Sequence, residues 1–292
     1  MAAPAEPQKK SQSSLKLRIE SAAVLIPIVV GAVILGHPAW DLMVVLFGGV
    51  MIWEWCRIAA RSRPAAEQGR LAVLFTAVLF MLIGLVSFAF RDQLPPAARV
   101  LGEPLKFVPV AAVAVIFGGL PHFRAAALWF GLGFIYVAVP CIAIIALRAD
   151  PILGLSQIFW IVALVIAADT GAYVAGRGIG GPKLAPRVSP NKTWAGLGGA
   201  VVSAAIVGVI MALVLDRPAV WPLAAVSAGL AIIEQIGDLA ESAFKRHFGV
   251  KDASHIIPGH GGALDRVDGL IAVAAAVAGL NFWIGSSVLT WL

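Results

Sequence analysis

The chain has 292 residues, of which 60% are hydrophobic and 13% charged, with a formal net charge of +6. That balance excludes a soluble globular domain and leaves a polytopic membrane protein. Cys56 and Cys141 both fall in apolar stretches, which argues against a disulfide framework and against a cysteine zinc site.

In chain order, residues 1–16 are rich in Ala, Pro, Gln, Ser and Lys, a composition that predicts a disordered cytosolic tail. The tail and the apolar run behind it are not read as a cleaved leader, because no small-residue cleavage pattern follows Val33–Gly36. A hydrocarbon core about 30 Å thick takes about 20 apolar residues per helical crossing. Windows of that kind fall at 20–36, 39–57, 71–90, 107–121, 124–147, 152–175, 194–215, 219–237 and 269–290. They predict an all-α fold of about nine transmembrane helices, with N-terminal helices over 17–150 and a C-terminal catalytic region over 151–292. The polar segments 176–193 and 238–268 are too short for a core of their own.

The positive charge is explained by topology rather than by nucleic acid. With a cytosolic N-terminus, Arg91, Arg99, Lys106, Arg148 and Arg217 fall on the far side, and the other 17 of the 22 Lys and Arg residues fall in the cytosol. That bias follows the cytoplasmic excess of cations in membrane proteins. Both long polar segments then face the cytosol, where nucleotides are found.

Those segments carry the groups capable of chemistry. Glu234, Asp238, Glu241, Ser242 and Lys245 recur at spacings of three or four, so they share one face of a helix. A lone carboxylate facing lipid costs about 2.5–3.5 kcal/mol on the insertion scale, so this stripe must face protein, water or a metal. Pro258-Gly259-His260-Gly261-Gly262 predicts a tight non-helical approach to Asp265 and Asp268, which lie on one face at the start of the last span. Paired oxygen ligands of this kind suit Mg²⁺, which takes one or two carboxylates beside phosphate oxygens and water. An N-capping role explains one of these aspartates but accounts poorly for Asp238, Asp265 and Asp268 together. Between 183 and 194, Lys192, Ser189 and Thr193 sit among prolines that hold the chain extended, a pattern suited to phosphates or to anionic lipid heads. Asp169 lies close to the cytosolic end of the span at 152–175, after a run that is apolar from Ile158 to Ala168; it either completes a polar cavity or pairs with a lysine. His260 is not read as a general base, because a phosphate monoester is already an oxyanion at neutral pH and positioning with metal charge can supply the rate.

Together these residues resemble the phosphatidate cytidylyltransferases, also called CDP-diglyceride synthases. The family's signature is matched by Ser242, Lys245-Arg246, Lys251-Asp252, His260-Gly261-Gly262 and Asp265-Arg266-Val267-Asp268. Upstream, Gly237-Asp238-Leu239, Asp169-Thr170-Gly171-Ala172-Tyr173 and Ser189-Pro190 with Lys192-Thr193-Trp194 are similar as well. Ala263 stands where the signature usually has a larger aliphatic residue and removes no ligand, and Ala195 stands where many members carry Glu, so no role is assigned to an acid there. The resemblance implies an enzyme that joins CTP to phosphatidic acid, giving CDP-diacylglycerol and pyrophosphate. It implies Mg²⁺ on Asp238, Asp265 and Asp268, with room for a second cation. Lys245, Arg246, Lys251, Arg266, Ser189, Lys192 and Thr193 would neutralise phosphates, with Lys245 counted among the catalytic groups. Ser242, His260, Gly261 and Gly262 would complete the substrate site, while Asp169 and Glu241 have no assigned role. The implied setting is the inner membrane with the site on its cytosolic side, in contact with the bilayer and with no nucleic acid, and a homodimer is a further expectation. An ion or solute transporter and a CTP-dependent polyprenol kinase are the rival readings.

Overall fold

The computed structural model describes residues 8–61 and 127–291. Its helices are α1 (Gln8–Leu35), α2 (Ala39–Ala59), α3 (Ala127–Arg148), α4 (Gly154–Gly178), α5 (Trp194–Val214), α6 (Val220–His247), α7 (Leu264–Ile284) and the short α8 (Val288–Trp291). Between α4 and α5 lies an antiparallel hairpin of β1 (Lys183–Ala185) and β2 (Ser189–Thr193), with Lys183 opposite Thr193 and Ala185 opposite Ser189. Among the described residues, seven helices, α1 to α7, are long and apolar enough to cross a membrane. The expected spans at 71–90 and 107–121 lie outside the described residues.

Three boundaries differ from the hydropathy windows, each for a physical reason. Helix α1 begins at Gln8, inside the segment 1–16 whose composition predicts a disordered tail. Once an apolar helix is nucleated, each added residue is cheap to order, so helix propagates beyond the hydrophobic window. Helix α6 continues ten residues past the window 219–237, carrying the polar stripe out to His247 as one rigid element. Helix α7 starts at Leu264, ahead of the window 269–290, and Gly285 in the left-handed conformation ends it before α8.

Lateral packing places the chemistry at one end of the helices. Arg61 donates to the carbonyls of Phe248 and Gly249, joining the end of α2 to the end of α6. At the opposite end, Arg148 of α3 donates to the carbonyl oxygens of Val33 and Ile34 at the end of α1. Two uncharged polar pairs lie away from the site end. Asn281 donates to Gln157 at 2.6 Å, and Trp160 donates to Ser227 at 3.1 Å. Aromatic stacking fixes α2 against α6, with Trp55 and Phe244 ring centroids 3.6 Å apart and planes 9° from parallel. Helices α6 and α7 meet where glycine allows it. A Cβ on Gly237 would lie 2.6 Å from Ala272 Cβ and 2.9 Å from the carbonyl oxygen of Asp268.

Candidate active site

The glycine-mediated approach of α6 to α7 builds the site. Asp238 projects from α6 and Asp268 from α7, close enough for each carboxylate to act on the other electrostatically. Asp169 of α4 meets Glu234 of α6 side chain to side chain, and Asp238 acts on both. Four carboxylates from three helices are thus linked electrostatically.

The β1–β2 hairpin supplies the nearest cation. Lys192 Nζ pairs with Asp238 Oδ2 at 2.6 Å and donates to Gln235 Oε1 at 2.8 Å. Of the two prolines expected to keep this segment extended, Pro190 lies in β2, which reaches over α6, whereas Pro186 falls in the turn that joins the two strands. Beside this pair lies a cavity of about 430 Å³, lined in part by Asp169, Tyr173, Arg177, Asn191, Lys192 and Gln235. Arg177 donates to the Tyr173 hydroxyl at 2.7 Å. Thr193 is buried, and its Oγ1 accepts from Gly196 N at 3.0 Å as the N-cap of α5. The hydroxyl expected to meet phosphate therefore also anchors a helix.

A second cluster lies one turn further along α6. Lys245 is buried between Glu241 Oε2 at 2.6 Å and Asp265 Oδ1 at 2.7 Å. Asp265 also accepts from the backbone N–H groups of Ala253 and Gly262, at 3.0 and 2.9 Å to Oδ2. Both oxygens of Asp265 are thereby engaged, whereas among the described residues Asp268 accepts only from the N–H of its neighbour Gly269, at 3.0 Å. Among the described residues no cation lies in ion-pair contact with Asp268. Glu241 is 1% exposed, and among the described residues its Oε1 has no hydrogen-bond partner.

The glycine turn has the non-helical form its sequence predicts. Ile257 and Gly261 bridge across it, and Gly259 and Gly261 take φ values of 75° and 90°, which favour glycine. Helix α1 holds the turn from one side. Arg18 donates to the Gly259 carbonyl at 2.9 Å, and Ser21 Oγ lies 2.8 Å from His260 Nδ1. Arg266 holds it from the other, donating to the His260 carbonyl at 2.7 Å. Ser242 donates weakly to Asp238 at 3.3 Å, and Arg246 turns to the Val250 carbonyl. Lys251 is exposed, and Ser189 is half-buried in β2.

Sequence reasoning missed Glu54 of α2, Tyr136 of α3 and Gln235. Glu54 is fully buried and bonds the start of α7. It is an acid inside an apolar span, the same signal that singles out Asp169. The Tyr136 hydroxyl is buried, has no hydrogen-bond partner among the described residues, and lies in the field of Asp238, Glu241 and Asp268. A tyrosine inside an apolar window carries no such signal.

The donor set can be weighed against a hard divalent cation. Asp169, Glu234, Asp238 and Asp268 bring more negative charge than Lys192 balances, and all their donors are oxygens, the kind Mg²⁺ takes. Among the described residues, no group of three or more His, Cys, Asp or Glu side chains is arranged to enclose a metal as the side chains stand. Mg²⁺ usually keeps several waters and uses one or two carboxylates, so Asp238 with Asp268 fits that habit.

Comparison with known proteins bears on what this site does. Residues 16–283 match the cytidylyltransferase family. A protein of Brucella suis called phosphatidate cytidylyltransferase is 35% identical over 263 residues, covering 90% of this chain and 92% of that one. Proteins of the same name from Haemophilus influenzae and Bacillus subtilis are 33% and 30% identical, over 92% and 89% of this chain and 99% and 94% of theirs. By the extent of these matches, the chain belongs to the cytidylyltransferase family.

Proposed function

We propose that this protein is a membrane nucleotidyltransferase that joins CTP to phosphatidate, giving CDP-diacylglycerol and pyrophosphate. The observation that carries the reading is that Asp238, ion-paired to Lys192, stands within electrostatic reach of Asp268 at one end of helices long enough to span a membrane, in a chain of the cytidylyltransferase family. A lipid-borne phosphate reaches such a site laterally from the bilayer, and CTP reaches it from water.

In the reaction, a phosphatidate oxygen attacks the α-phosphorus of CTP in line with departing pyrophosphate. One P–O bond forms and the bond to the β-phosphate bridge breaks. No base is required, because the nucleophile is already ionised. This fits His260, whose Nδ1 is occupied by Ser21. Lys192, Arg266 and the exposed Arg246 and Lys251 supply positive charge to phosphate oxygens, with Ser189, Ser242, Gly261 and Gly262 around them. The cavity beside Lys192 falls in the range of small-ligand sites, roughly 300–1,000 Å³, and offers Arg177 and Asn191 as further phosphate contacts.

Asp238 and Asp268 are the ligands we assign to Mg²⁺. Bound there, the ion would draw charge from the phosphate oxygens and lower the barrier to attack. Asp265, with both oxygens engaged, serves beside them by tying Lys245 and the glycine turn to α7, and Lys245 works through it.

The setting we propose is the inner membrane with the site on the cytosolic side. The cation bias and the positions of the helix ends support it. Helix α2 ends and α3 begins at the site end, which supports the expected topology of an even number of crossings between them and a cytosolic N-terminus. A homodimer is part of the same proposal. The concentration of charge at one end disfavours a translocation route, which needs polar groups through the membrane depth. Incorporation of label from CTP into lipid by purified protein, with Mg²⁺ present or chelated, tests the reading. It predicts Mg²⁺-dependent labelling only when phosphatidate is added.

A further inference from the structure

Glu54 lies on α2, about 200 residues from the groups it binds, and is 0% exposed. Its Oε1 accepts from Ser254 Oγ and from Ala263 N at 2.9 Å, and its Oε2 accepts from Leu264 N at 2.8 Å. The first N–H groups of a helix have no partner within it. Ala263, at the N-cap position of α7, offers no side-chain cap, and Glu54 takes that place from another helix. Among the described residues no cation lies within ion-pair distance of Glu54, so its charge is met by the positive end of α7. Gly262 makes the approach possible, since a Cβ there would lie 2.6 Å from Glu54 Oε1.

The residues flanking this contact connect it to the site. Trp55, next to Glu54, stacks on Phe244 of α6, and Lys245, next to Phe244, holds Asp265 at 2.7 Å. Asp265 follows Leu264, and Asp268 stands one turn beyond. The start of α7 is therefore clamped on one side by α2 and on the other by α6, while α2 and α6 are locked together by the ring stack.

Resting on the cytidylyl-transfer reading, we infer that Glu54 is a positioning residue for that reaction. Its carboxylate sets the first turn of α7, and with it Asp265 and Asp268, in register with Asp238. Glutamine has the same shape but only one acceptor oxygen, so in either orientation its amide NH₂ faces a backbone N–H of Ala263 or Leu264.

The test uses the full-length protein purified in detergent, as wild type and as Glu54→Gln, Glu54→Ala, Ser254→Ala and Leu46→Ala. Leu46 is 57% exposed on α2 and serves as the control. Pyrophosphate release from CTP and phosphatidate gives kcat and KM, and amide hydrogen exchange reports on residues 253–266. Displacement by about 1 Å can cost about 100-fold in rate. Glu54→Gln should therefore lower kcat about 10- to 100-fold, leave KM for CTP within about threefold, and speed exchange only over 253–266. Ser254→Ala, which spares both backbone contacts, should fall between Glu54→Gln and wild type, and Leu46→Ala should match wild type. Wild-type kcat and exchange in Glu54→Gln would overturn the inference, as would faster exchange throughout the protein, which marks a purely structural role. If wild type itself releases no pyrophosphate, the functional reading fails, while the exchange pattern still decides whether Glu54 holds α7.

Discussion

Replacing Gly237 by alanine should slow the enzyme far more than it destabilises the fold. The added Cβ would lie 2.6 Å from Ala272 Cβ and 2.9 Å from the Asp268 carbonyl oxygen. Ordinary carbon contacts lie near 3.5–4.0 Å, so α6 and α7 must part by about 1 Å. Overpacking of this kind costs about 1–3 kcal/mol, and the better helix propensity of alanine returns up to about 1 kcal/mol. The net loss of stability is small, yet the displacement falls on the pair Asp238 and Asp268, where about 1 Å can cost about 100-fold in rate. Gly229→Ala in α6 and Gly279→Ala in α7 are the controls, because a Cβ at either position meets nothing within 4 Å. The assay is the initial rate of pyrophosphate release from CTP in phosphatidate mixed micelles, run beside thermal melts of each variant. A Gly237→Ala rate within threefold of wild type would refute the argument that this close approach sets the site.

Other outcomes follow from the same geometry. Asp268→Asn should abolish turnover with an unchanged melting temperature, since its carboxylate accepts only one local N–H. Asp265→Asn should abolish turnover and also lower the melting temperature, because its oxygens take Lys245 and two backbone N–H groups; equal melting of the two variants would contradict this division. His260→Ala should reduce the rate less than either aspartate change, and a loss as large as theirs that high pH reverses would point to a general base. Lys245→Met should destabilise the protein by about 3–5 kcal/mol, because it leaves the buried carboxylates of Glu241 and Asp265 unpaired; a normal melting temperature would refute that.

Much of this arrangement was legible because its signals are local. Hydropathy located the seven described membrane helices, and the spacing of Glu234, Asp238, Glu241 and Lys245 placed them on one helical face. The glycine turn before Asp265 was readable from composition alone. What was not legible depends on how the helices pack. Glu54 gains its partners only when α2 meets the start of α7, about 200 residues away in sequence. Lys192 and Lys245 were both expected to neutralise phosphates, yet one pairs with Asp238 beside an open cavity and the other is buried between two carboxylates. The hydroxyl of Thr193 resembled a phosphate ligand and turned out to cap α5 as well, a role any Thr before an apolar run can take.

The most direct measurement follows which phosphorus of CTP ends in the lipid. Purified protein is given phosphatidate and Mg²⁺ with CTP labelled at either the α- or the γ-phosphate. The account predicts that α-label enters the lipid and γ-label leaves as pyrophosphate, whereas γ-label in the lipid with release of CDP would contradict it.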